Sequence, residues 1–113
     1  VLNHVDFSNC DLSQANFDGA NLAKAKLVNA KCIEATFRQA DLNAIDASQS
    51  NFENAVLDGA VFSKAILENA VFSHCQGSGV DFNEASLNGA RFEEAKFNNS
   101  NFSHTRPYIR IKE

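Results

Sequence analysis

A chain of 113 residues with 44% hydrophobic and 21% charged residues is the size of one domain, and its composition is that of a folded protein rather than a disordered tail. Ten Lys and Arg against fourteen Asp and Glu leave a formal charge of −4, which excludes a direct nucleic-acid binder working through a basic patch. No apolar run approaches the ~20 residues of a membrane span, so no membrane partner is expected, and three cysteines without C-x-x-C spacing make neither a disulfide framework nor a zinc site.

Numbered modulo five, the chain is a repeat. All ten Phe and all eight Leu fall at positions 2, 7, 12, 17 and onward in steps of five, and thirteen of the sixteen Ala fall two residues ahead of such a centre. Eighteen independent placements at one chance in five have odds on the order of one in a trillion. Between the small residue and the centre stands a polar one, often Asn or Asp, as in Ala15-Asn16-Phe17 and Ala40-Asp41-Leu42. A five-residue period fits neither regular structure. Steps of five rotate about 140° around an α-helix, and an odd step along a straight strand alternates faces. A chain that turns the same way every five residues satisfies the pattern. The small residue and the centre, two apart, both point inward, and the other three turn the corner. The periodicity therefore predicts a coiled solenoid with a filled core.

Stretches such as Ala15-Asn16-Phe17-Asp18-Gly19 and Ala20-Asn21-Leu22-Ala23-Lys24 resemble the A(D/N)LXX consensus of the pentapeptide-repeat proteins. The resemblance covers residues 1–105. It implies an all-β fold, a right-handed four-sided parallel β-helix with twenty residues per coil. On that geometry the chain makes about five coils and, at ~4.8 Å each, a rod about 25 Å long. Residues 1–105 then form the β-helix and 106–113 a C-terminal tail.

In chain order, the repeat begins at Val1 with no visible cap. The absence of methionine implies that Val1 follows a processing site or continues a longer chain. The four centre columns begin at Leu2, Phe7, Leu12 and Phe17. Outward residues stack as alternating charges in Asp6, Lys26, Asp46 and in Asp18, Arg38, Asp58, with a possible amide ladder in Asn9, Asn29, Gln49 and Asn69; all are expected to be solvated surface. Cys10, Cys32 and Cys75 take inward positions and are expected to be buried and inert. Ala47 replaces a large centre beside an enlarged Ile45, which reads as volume compensation. Val56, Val61, Ile66 and Val71 put four β-branched residues at the usual Asn/Asp position, a girdle read as strand propensity rather than a binding patch. Gly77 replaces another centre between Cys75 and Val80, again with volume moved to its neighbours. The stretch Gln76-Gly77-Ser78-Gly79 is the expected place for a bulge. After Arg106-Pro107, Tyr108 to Lys112 alternate like one more strand, with Ile109 and Ile111 on one face, as a cap for the last coil or the start of a linker.

No catalytic, cofactor-binding or metal-ligating residue is assigned, and no cofactor. His4, His74 and His104 face outward and far apart, and Glu93 and Glu94 lie exposed without a pocket. The expected function is a non-enzymatic structural or protein-interaction module with an unidentified protein partner. The alternatives are a DNA mimic of the kind found in this family, which binds a type II topoisomerase and protects it from quinolones, and a repeat domain of a larger bacterial effector or multidomain protein. The body charge of −6 over residues 1–105 is small beside that of duplex DNA. No address is present, and unpaired cysteines point towards a reducing compartment such as the cytoplasm.

Overall fold

The structure, a computed structural model, describes residues 2–107; the expected capping strand at Tyr108 to Lys112 lies outside the described residues. The chain winds as a right-handed four-sided parallel β-helix. Each side is a ladder of single parallel bridges spaced twenty residues apart, such as Asp6 to Lys26 to Asp46 to Ile66 to Ser86 to Arg106.

Hydrogen-bond accounting explains why a five-residue unit suffices. In the unit Ala40-Asp41-Leu42-Asn43-Ala44, the Asp41 N–H donates to the Ala20 carbonyl of the preceding coil at 2.9 Å. Leu42 and Ala44 donate to Val61 and Ser63 of the following coil at 2.7 and 2.8 Å. Ala40 closes the previous turn by donating to Phe37 at 3.1 Å. One donor of the five remains, the Asn43 N–H, and the Asp41 side chain takes it at 3.0 Å. Backbone N–H groups need partners, and the Asx turn supplies the missing one. The same bond recurs at Asp6, Asp11, Asn16, Asn21, Asp46, Asn51, Asp81 and Asn101. Each unit turns through a left-handed residue, from His4 to His104 in steps of five, with φ between 57° and 74°. That is the mark of a type II turn, and it explains the Gly and Asn content of this position.

The core is continuous from Leu22 to Phe97. Within a column the rings stack face to face: Phe52 on Phe72 at 5.0 Å and 3°, Phe72 on Phe92 at 5.3 Å and 6°, Phe62 on Phe82 at 5.1 Å and 6°. Across the core they meet edge to face, Phe62 to Phe72 at 5.9 Å and 89°, Phe72 to Phe82 at 5.7 Å and 88°. Both are favourable ring arrangements. The principal extents are 32 × 22 × 21 Å. The rod exceeds the 25 Å expected from five coil spacings because a sixth coil begins at Phe102 and pairs as far as Arg106.

At the irregular centres, Ile45 and Ala47 are both fully buried. Gly77 is also buried, and a Cβ there would come within 2.6 Å of Val80 Cγ2 and 3.2 Å of the Leu57 backbone. The Val80 side chain thus fills the place of the lost centre. The bulge expected at Gln76 to Gly79 does not form: the ladder Val56 to Gln76 to Lys96 is unbroken. Only the turn opens, with the Val80 N–H donating to Ser100 Oγ at 3.0 Å in place of the carbonyl three residues back.

One burial expectation is overturned. Cys32 and Cys75 are buried but Cys10 is exposed. Its inward position lies in the first coil, where no described residues close the end of the core. Leu2, Phe7, Leu12 and Phe17 are only half-buried there for the same reason.

Candidate interaction surface

Because the small residue and the centre of each unit are spent on the core, whatever the molecule presents comes from the remaining three positions on four sides and four corners. The described residues place no group of three or more His, Cys, Asp or Glu side chains together for a metal ion. His4, His74 and His104 all sit at exposed turn residues with φ of 65°, 61° and 58°. His74 Nδ1 lies 3.8 Å from Glu94 Oε1. Glu93 has more partners than the sequence suggested, accepting from Ser73 Oγ at 2.9 Å and pairing with Arg91 at 3.2 Å. Its own backbone N–H, the Ser73 hydroxyl and Arg91 hold its carboxyl below the usual value.

Of the expected charge rows, Asp6, Lys26 and Asp46 line up without a salt bridge, while Asp18 and Arg38 close into one, with an addition. Asp18 pairs with Arg38 at 3.1 Å and also accepts the Arg38 backbone N–H at 2.8 Å. Asp58 accepts the Ser78 N–H at 3.1 Å, and Ser8 Oγ the Val28 N–H at 3.2 Å. In these three cases the receiving unit carries Thr36, Gln76 or Lys26 at the Asx position, and a side chain from the coil below takes over the capping bond. These residues therefore hold backbone as well as face water, which corrects their reading as merely solvated. In the amide row, Asn29 Nδ2 donates to Asn9 Oδ1 at 3.0 Å.

Burial pushes the Cys32 and Cys75 thiols up to about 12, aided by the charges of Asp11 and Glu53 respectively. Cys75 Sγ donates to the Phe52 carbonyl. Neither thiol is available as a nucleophile at neutral pH.

Open grooves run along the corners. One is walled by the amides of Asn9, Asn29 and Gln49 with Lys31 opposite. Another is lined by Lys64, Glu84, Ser86, His104 and Arg106. The girdle is uneven where it meets solvent: Val56, Val61 and Val71 are half-buried, while Ile66 is 41% exposed and stands alone among the described residues as a large exposed apolar side chain.

Two family models match, described as pentapeptide repeats (8 copies) over residues 6–43 and as a pentapeptide repeat region over residues 45–106. Among solved structures the chain is similar to Rfr23, a pentapeptide repeat protein of the cyanobacterium Cyanothece 51142. Identity is 22%, coverage 92% of this chain and 85% of that one, and the TM-score 0.88. It is also similar to HetL of Nostoc sp. strain PCC 7120, which is involved in heterocyst differentiation regulation, at 19% identity, TM-score 0.70 and coverage of 92% and 56%. A trypsin-treated variant of QnrB1, a plasmid-mediated fluoroquinolone resistance protein, matches at 19% identity, TM-score 0.72 and coverage of 96% and 59%. The chain thus spans little more than half the length of HetL and QnrB1. At these identities the likeness is one of fold. No curated protein matches the sequence significantly.

Proposed function

The chain belongs to the pentapeptide-repeat family, and from that premise we propose that it works as a non-enzymatic protein-interaction module, a rigid solenoid presenting fixed rows of side chains to a protein partner. The observation that carries this reading is the division of labour in each unit. Apolar side chains fill the core, and the outward positions form rows of mixed charge and amides in a register set by the backbone. The test is affinity capture with cross-linking, using the tagged chain as bait in a lysate of its source. A specifically retained protein, released by an excess of untagged chain, supports the reading. A bait that stays empty at high load sinks it.

The second reading is DNA mimicry, favoured by the likeness in fold to QnrB1. Charge weighs against it. Duplex DNA carries one negative charge per ~1.7 Å, so a rod as long as this one would need about 19. Residues 2–107 hold thirteen Asp and Glu against eight Lys and Arg. A gyrase supercoiling assay at two salt concentrations separates the readings: salt-sensitive inhibition favours mimicry, and no effect at high micromolar protein excludes it.

A further inference from the structure

The corner between the sides centred on Phe62 and Leu67 differs from the rest of the surface. It carries Lys24, Lys26, Lys64 and Arg106, four of the eight Lys and Arg among residues 2–107, against three acids, Asp6, Asp46 and Glu84, so it is net positive on a body that is otherwise acidic. None of the four forms an ion pair among the described residues; the salt bridges there involve Arg38, His74 and Arg91. Ile66 lies in the same corner, bridged to Asp46 below and Ser86 above, and Ser86 leads on to Arg106. The open groove lined by Lys64, Glu84, Ser86, His104 and Arg106 runs beside it. An exposed branched apolar residue beside Lys64, with Arg106 two coils above it, offers an apolar anchor with a charged rim.

We infer that this corner docks an acidic, extended segment of a partner protein, with one branched apolar side chain of that segment seated on Ile66 and its carboxylates on Lys64 and Arg106. This deepens the interaction-module reading and rests on it. Spacing supports an extended occupant. Ile66 and Arg106 are two coils apart, about 10 Å at the coil spacing, and a strand rising ~3.3 Å per residue brings the same-face side chains two and four residues beyond its apolar one to within about 3.5 Å of the level of Arg106, inside the reach of its long side chain.

Ile66 also permits a clean test. Nine other turns carry Asp or Asn at its position, accepting an N–H two residues on. Ile66→Asn therefore restores a cap for the Glu68 N–H, removing the apolar anchor while leaving the coil intact. The probe is a fluorescein-labelled peptide of about ten Asp, Glu and Ser residues with one central Ile, titrated by anisotropy at low salt. Saturable binding is expected, weakened at least ~5-fold by Ile66→Asn and ~3-fold or more by either Lys64→Glu or Arg106→Glu, and falling with salt. Arg38→Glu, on another side, leaves it unchanged. Absence of saturable binding overturns the inference, as does an Ile66→Asn protein that binds like the parent, or an Arg38→Glu effect equal to that of Arg106→Glu. Repeating the affinity capture with the Ile66→Asn bait separates the two levels. A partner held equally by both baits refutes the corner and leaves the module standing, whereas an empty parent bait removes the module itself.

Discussion

The Asp or Asn ahead of each apolar centre is the residue on which the repeat turns. It faces outward, and sequence alone assigns it to solvated charge rows. In the structure it completes the backbone hydrogen bonding of its own turn, and in three of the units that lack it a side chain one coil below substitutes, as Asp18 does for Arg38 and Asp58 for Ser78. A neutral effect of Asp58→Ala, expected for a surface carboxylate, is thereby revised. Its loss leaves the Ser78 N–H to water, and urea unfolding should show a destabilisation of about 1 kcal/mol. Asp58→Asn keeps an acceptor and should stay within ~0.5 kcal/mol of the parent. Equal stability of the alanine variant and the parent would mean that the cross-coil bond contributes nothing net.

At the scale of the coil, position along the rod governs the cost of an identical substitution. Phe72 is fully buried between Phe52 and Phe92, so Phe72→Ala should cost roughly 3–5 kcal/mol. Phe7 occupies an equivalent position in the first coil but is half-buried, and Phe7→Ala should cost less than half as much in the same chemical denaturation experiment. Similar losses would show that the first coil is covered in solution. The irregular coil makes its own prediction. Gly77→Ala drives a methyl against Val80 Cγ2 and should destabilise by about 1–3 kcal/mol. Much of that should return in the Gly77→Ala, Val80→Ala double variant, because the two side chains compete for one space. Strict additivity in the double-mutant cycle would refute that competition.

For the molecule as a whole, the pH range of stability follows from which groups the fold holds charged and which neutral. Asp6 and Asp11 are held below the ordinary 3.8 by bonds from Ser8 and Ser13. At Asp18 partial desolvation works the other way and is outweighed by the bonds from Arg38 and Thr36. Lowered folded values mean that this stabilisation is present above about pH 4 and lost as pH falls through them. Cys32 and Cys75 are raised from 9.0 to about 12. The stability they protect is complete below 9 and declines as pH rises towards 12, because only the unfolded chain then ionises freely. Melting temperature should accordingly form a plateau bounded on both sides. A thiol-reactive dye at pH 8 should label Cys10 quickly and all three cysteines only in denaturant. Rapid labelling of two or three in the native protein would contradict the burial.

Much of this architecture was legible without coordinates, because a five-residue repeat is a local signal written many times over. The placement of every Phe and Leu at one phase established the turning unit, the inward and outward positions and the filled core, and the family resemblance supplied the four sides. Gly77 and Ala47 announced themselves as exceptions because the surrounding pattern was so regular. Three matters depended on the assembled coils. Cys10 has the same local sequence phase as Cys75, yet burial needs a coil on either side, and Cys10 lies at an end. The ladder stayed unbroken at Gly77 because Val80 could swing into the vacated volume, a question of three-dimensional fit. Ile66 holds the same repeat position as Val56, Val61 and Val71, one methylene larger, and what stands around it leaves it exposed where they are half-buried. Neighbours twenty residues away decide exposure and charge at the surface, so a repeat specifies its core unit by unit while its candidate binding corner exists only once the coils are stacked.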